Sequence, residues 1–192
     1  MKLAAEWIRV IDDAFSPELC DALIAEPDEG HLIDHEWRRC QQRPVSPENL
    51  ARVKGALRPH VAAYRELCRT LNFVTLLEAP NVYSYEPATE KPHHFHEHAD
   101  AWNVESATRQ ISVIVYLNDV DGGGGETAFT MLGSEGTTKP VWPKRGRLLL
   151  FPANFIFSHL ARAPKRSTKH VLVTWLHFGG EGVRYLASPL ES

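Results

Sequence analysis

The sequence predicts a mainly β domain of sandwich or jelly-roll type, with helices confined to its N-terminal third. Two observations carry this expectation. Apolar residues recur at three- and four-residue steps only as far as about residue 71. From Phe73 onward, short runs rich in β-branched and aromatic residues are separated by glycine and proline turns, without the alternation of strand and helix that a parallel sheet requires. At 192 residues the chain suits one domain over 1–192, with 1–72 as helical support and 73–180 as the β core.

The first helix starts at Ser16-Pro17, where serine can cap free N–H groups and proline fits the first turn, and Leu19, Leu23 and Ile24 form its apolar face. Ser46-Pro47-Glu48 repeats the signal. Leu50, Val53, Leu57, Val61, Tyr64, Leu67 and Leu71 follow on one stripe, which Pro59 is expected to kink or split. Between the helices, residues 31–43 are polar and basic and read as a strand plus a loop. The expected core strands are residues 82–85, 111–117, 127–129, 147–151, 155–159 and 170–178.

Hydrophobic content of 43% and charged content of 23% are ordinary for a globular chain. A formal charge of −3 argues against bulk affinity for nucleic acid or anionic membranes. No apolar run approaches the roughly 20 residues of a membrane helix, and residues 1–15 lack the apolar core of a signal peptide. Cys20, Cys40 and Cys68 are odd in number and widely spaced, which fits free thiols and a cytoplasmic location.

His93, His94, His96 and His98 fall within six positions. Most of these are expected to be exposed residues of a polar loop spanning 86–106, which also reads as a lid. His98 differs because Asp100 lies two positions on and His159 is available downstream. Alternate residues of an extended segment face the same side, so both can converge on one ion with a histidine from a neighbouring strand. Two imidazoles and a carboxylate with open positions form the ligand set of non-haem Fe(II) oxygenases. Lys169, ten residues after His159, opens a strand in which Lys169, Val171, Val173 and Trp175 share a face. If that face is buried, the ammonium needs a partner such as the carboxylate of an acidic cosubstrate. Tyr116 and Tyr85 are candidate hydroxyl donors to the same cosubstrate.

Other readings compete. A three-histidine cupin-type site would join His94, His96 or His98 to His159, although the nearest glutamate, Glu105, is poorly spaced for it. A non-catalytic metal-binding jelly-roll sensor would have no use for the Lys169 anchor. The 121–127 stretch, Asp-Gly-Gly-Gly-Gly-Glu-Thr, lacks the lysine and helix of a phosphate loop and reads as a tight strand connection. Ser158-His159 has no nucleophile elbow around it.

Tyr116-Leu117-Asn118-Asp119, then Gly124-Gly125-Glu126-Thr127, then the 143–152 stretch Pro-Lys-Arg-Gly-Arg-Leu-Leu-Leu-Phe-Pro occur in an order that resembles the prolyl 4-hydroxylase-like branch of the 2-oxoglutarate/Fe(II) dioxygenase superfamily. The resemblance runs from about Tyr83 to Phe178. It implies a double-stranded β-helix (jelly roll, cupin-like) buttressed by N-terminal helices. It also implies His98, Asp100 and His159 as iron ligands, Lys169 as the partner of the C5 carboxylate of 2-oxoglutarate, and Tyr116 as its hydrogen-bonding companion. The stretch from Glu86 to Glu97 is longer than the usual tyrosine-to-histidine spacing, so Tyr85 and Tyr83 are both candidates to approach the cosubstrate. The implied cofactors are Fe(II), 2-oxoglutarate and O2, with ascorbate in support. The implied reaction is hydroxylation of a C–H bond in a peptide or small-molecule substrate, a prolyl residue or another amino-acid-like group. Asp100 favours hydroxylation, because related halogenases lack that carboxylate.

Overall fold

A computed structural model describes residues 4–27, 30–87, 91–130, 140–179 and 187–190. Two helices lie on one side of a curled, open antiparallel sheet, a half-barrel of the double-stranded β-helix kind.

The helices are α1 (Pro17–Ala25) and α2 (Pro47–Arg65). The hydroxyls of Ser16 and Ser46 accept from the backbone N–H groups of Leu19 and Asn49, as the capping signals predict. Glu26, just past α1, accepts from the Ser46 hydroxyl, Asn49 and Arg43, tying the end of one helix to the start of the other. Pro59 does not split α2. Pro59 and Gly55, whose carbonyl loses its partner, are both exposed, so water can satisfy that group while Val53, Leu57, Val61 and Tyr64 stay packed. The stripe that reads as helix through Leu71 stops at Arg65, and a 3-10 turn follows over Arg69–Phe73.

The strands are β1 (Arg9–Ile11), β2 (His31–Asp34), β3 (Arg38–Pro44), β4 (Val74–Glu78), β5 (Asn81–Tyr85), β6 (His94–His98), β7 (Arg109–Tyr116), β8 (Thr127–Phe129), β9 (Leu148–Pro152), β10 (His159–Ala161), β11 (Lys169–Phe178) and β12 (Ala187–Pro189). Their order along the sheet is β1-β9-β7-β11-β5-β3-β6-β10-β8, with β2 added to β3 and β4 joining β11 to β12.

Both faces of the central strands are buried. In β7, Ile111, Val113 and Val115 join the core beneath the helices, while Ile114 and Tyr116 join a second core inside the curl. β9 does the same, with Leu148 and Leu150 on one side and Leu149 and Phe151 on the other.

Three expectations need correction. Residues 31–43 form a hairpin of two strands, not a strand and a loop. Phe155–Phe157 is a 3-10 turn whose start is capped by the Asn154 side chain, so His159 begins a strand instead of ending one. The supposed loop from 86 to 106 contains β6, held between β3 and β10. Of the lid reading, residues 88–90 lie outside the described residues.

Candidate metal centre

β6 ends at His98, β10 begins at His159, and these two residues are paired in the ladder between the strands. Asp100 follows β6 by two residues and turns back under both rings. Ligand atoms of the three side chains lie within 4.8 Å of one another. The Asp100 carboxylate is 3.5 Å from His98 Nε2 and 3.9 Å from His159 Nε2.

Each ring is set by its other nitrogen. His98 Nδ1 lies 2.8 Å from the His96 carbonyl, and His159 Nδ1 lies 3.2 Å from that of Phe157. A carbonyl only accepts, so Nδ1 carries the proton in both rings and the Nε2 lone pairs point at the shared space. Phe95 stacks on His98, and Phe151 meets His159 edge-on. The Ser112 hydroxyl donates to Asp100 Oδ2 at 2.5 Å, and Arg109 reaches the Asp100 carbonyl at 3.3 Å.

Electrostatics fit a divalent cation. Burial brings His159 down to about 4, so the imidazole is neutral at physiological pH. Burial works against an ionised Asp100, but the imidazoles of His159 and His98 and the Ser112 hydroxyl outweigh it and hold the carboxyl below the usual range. Two imidazoles and an ionised carboxylate, pre-aimed at one point, are what a 2-His-1-carboxylate iron site requires.

Lys169 opens β11 opposite Tyr85 and is 1% exposed. Its ammonium donates to the Gly125 carbonyl at 2.9 Å and sits 4.4 Å from the centroid of the Tyr85 ring. Burial pushes it down to about 8, against the pull of Glu126 and Cys40. Glu126 itself pairs with Arg162 at 3.0 Å. Gly125 is presented by the glycine-rich turn, in which Gly124 has a φ of +76° and a Cβ there would stand 2.3 Å from the Ala163 carbonyl. A buried ammonium without an ion-pair partner among the described residues fits the distal carboxylate of a diacid.

The cavity beside the three ligands is lined by Tyr85, Lys169, Val171, Val173 and Trp175, so the predicted face of β11 does point inward. Tyr85 lines it and Tyr83 does not; Tyr83 packs beneath Arg38. The Tyr116 hydroxyl is held by Thr127 Oγ1 at 2.7 Å, and Thr127, not Tyr116, forms the cavity wall. His93 is buried and accepts from the Glu86 N–H. His94 and His96 lie outside the ligand cluster, so the three-histidine arrangement does not form among the described residues.

Sequence reasoning passed over Ser112, Arg109, Phe95 and Arg38. Ser112 left a signal, a hydroxyl residue inside an otherwise apolar strand. Arg109 lies 3.5 Å over the Trp175 ring and forms a two-pronged pair with Glu78, which also accepts from the buried His177. Nothing local in the sequence marks that network, because Glu78, Arg109 and His177 meet only through the ladders of β4, β7 and β11.

The family model described as 2OG-Fe(II) oxygenase superfamily matches residues 80–177. Among curated protein sequences, none matches the chain. Similar solved structures include a viral collagen prolyl hydroxylase from Paramecium Bursaria Chlorella virus-1 with 2OG, at 20% identity and TM-score 0.67, covering 90% of this chain and 97% of that one. A Pseudomonas putida prolyl-4-hydroxylase has 19% identity and TM-score 0.68, with 91% and 94% covered. A Trichoplax adhaerens prolyl hydroxylase in complex with a hypoxia inducible factor peptide has 16% identity and TM-score 0.69, with 95% and 87% covered. At these identities the likeness is one of fold.

Proposed function

Because the chain belongs to the 2OG-Fe(II) oxygenase superfamily, we propose that it is a non-haem Fe(II)- and 2-oxoglutarate-dependent dioxygenase that hydroxylates a C–H bond of an amino-acid-like substrate, prolyl residues included, with release of succinate and CO2. The observation that carries this is the placement of a buried Lys169, without an ion-pair partner among the described residues, on the wall of the cavity that His98, Asp100 and His159 share. A metal-binding sensor needs the three ligands but has no use for that lysine.

When bound, iron with 2-oxoglutarate and O2 supplies the oxidant for the C–H bond as the oxo acid is decarboxylated. The chain's own residues hold and aim it. His98 and His159 offer their Nε2 atoms, Asp100 offers one negative charge, and Ser112 keeps the carboxylate from rotating. Lys169 holds the distal carboxylate and so fixes the cosubstrate from its far end. Ile114, Val171, Val173 and Trp175 wall the cavity against water. The amino-acid-like substrate class is supported by the similar prolyl hydroxylase structures.

The test is succinate release by the iron-loaded protein, with and without proline-containing peptides and free amino acids. Substrate-stimulated release together with a hydroxylated product supports the reading. Iron binding with no 2-oxoglutarate turnover under any condition contradicts it and favours the sensor.

A further inference from the structure

Lys169 is one of two largely buried cations on the cavity wall, and the second is Arg38 of β3. Alternation along β3 separates it from its neighbour. Arg39 pairs with Asp34 on the outer side of the hairpin, whereas Arg38 turns inward. Its guanidinium lies between the rings of Tyr83 and Phe95, 4.4 Å from each centroid. No carboxylate among the described residues pairs with it, and its Nε is buried without a hydrogen-bond partner. The polar groups nearest it are the Tyr83 and Tyr85 hydroxyls and the Cys40 thiol, all kept neutral by burial. Aromatic faces offset part of the cost of that cation, and its hydrogen-bonding neighbours Tyr83 and Cys40 are neutral, so neither supplies an opposite charge.

Charge counting sharpens the point and rests on the oxygenase reading above. A divalent iron, a 2-oxoglutarate dianion, the Asp100 carboxylate and the Lys169 ammonium sum to zero. Arg38 adds one positive charge to that set, and the Glu97 carboxylate, which lines the same outer groove, forms no ion pair with it among the described residues. Arg38 also lines the outer groove of about 650 Å³ that opens beside His98, so it is the cation an incoming substrate meets. The exposed rings of Trp37 and Trp102, edge-to-face at 5.8 Å, wall that groove with apolar surface. Glu97 on the same groove is an acceptor for an amine.

We propose that Arg38 recognises a carboxylate of the substrate, so that the preferred substrate carries a free α-carboxylate, as a free amino acid or a C-terminal residue, and is not an internal residue of a longer chain. A planar fork facing a carboxylate can form two parallel charge-assisted bonds.

The experiment uses the full chain loaded anaerobically with Fe(II) and 2-oxoglutarate. Calorimetry measures binding of a panel of free L-amino acids and their N-acetyl derivatives, each against its carboxamide. At least one acid is expected to bind about tenfold or more tighter than its amide, the loss that follows from removing a charge-assisted hydrogen bond. Preference for the free over the N-acetyl form identifies a free amino acid, and the reverse identifies a peptide C-terminus. Arg38→Met is expected to reduce the acid to the affinity of its amide and to retain the iron–2-oxoglutarate absorption band; Arg38→Lys is expected to fall between. Amides that bind as tightly as acids, a panel in which no acid binds, or loss of the 2-oxoglutarate complex in Arg38→Met would overturn the assignment. The acid–amide comparison on the wild type does not depend on how either variant folds. A wild type that forms no iron–2-oxoglutarate complex refutes the oxygenase reading itself, before Arg38 is reached.

Discussion

His159 stands directly opposite His98 across the antiparallel pairing of β10 with β6. One ladder therefore fixes the spacing of both imidazoles, and a one-residue slip of either strand would turn its ring away from the shared point. Asp100 needs only the short turn after β6 to join them.

Ser112 is expected to matter although it touches no metal position. Ser112→Ala leaves Asp100 Oδ2 without its 2.5 Å donor, and loss of such a supporting bond typically costs about tenfold or more in metal affinity. Fe(II) titration compares it with Asp100→Ala, which is expected to abolish 2-oxoglutarate decarboxylation. Equal affinity in Ser112→Ala and wild type would mean that the carboxylate is oriented by other contacts.

Lys169 sets stability against function. Its pKa falls from 10.5 to about 8 on folding, so the unfolded chain holds that proton more tightly. The penalty is fully present below pH 8 and is relieved as pH rises from 8 to 10.5. Lys169→Met is expected to stabilise the ligand-free protein at pH 7, by an amount on the order of 3 kcal/mol before any repacking cost. The same variant is expected to lose 2-oxoglutarate binding. Thermal unfolding and cosubstrate titration on one sample check both; a destabilised variant that still binds 2-oxoglutarate contradicts the assignment.

Cosubstrate affinity is expected to depend on pH through the same group. A carboxylate favours the charged ammonium, so affinity stays level below about pH 7 and falls as pH rises past 8, at up to about tenfold per unit. Lys169→Arg keeps its charge throughout and is expected to remove the fall. A wild-type profile that is flat to pH 9.5 would place the carboxylate elsewhere.

Gly124→Ala tests the turn beneath Lys169. The new Cβ meets the Ala163 carbonyl at 2.3 Å and requires a non-glycine residue at φ +76°. A loss of about 1–3 kcal/mol is expected from backbone strain, with a higher 2-oxoglutarate KM because Gly125 holds the lysine. Unchanged stability and KM would mean that the turn relaxes freely.

Much of the fold was legible because it is written locally. Serine caps before proline marked both helix starts, and apolar β-runs marked β5, β7, β8, β9 and β11. β6 was hidden because its composition is polar; it is a strand through its partners, Phe95 opposite Arg38 on one side and His98 opposite His159 on the other. Phe155-Ile156-Phe157 misled in the opposite sense, since the Asn154 cap outweighs β propensity there. At the site, His98, Asp100, His159 and Lys169 carried a spacing that could be read. Ser112, Arg109 and Arg38 act through neighbours brought close only by the sheet's curl, and no spacing in the chain encodes them.

The most direct measurement is anaerobic addition of Fe(II) to the metal-free protein with and without 2-oxoglutarate, followed in the visible spectrum. A weak charge-transfer band that requires both, and that disappears in His159→Ala and in Lys169→Met at the same cosubstrate concentration, is the predicted result. Iron binding without that band, or a band indifferent to both substitutions, would contradict the placement of metal and cosubstrate at this site.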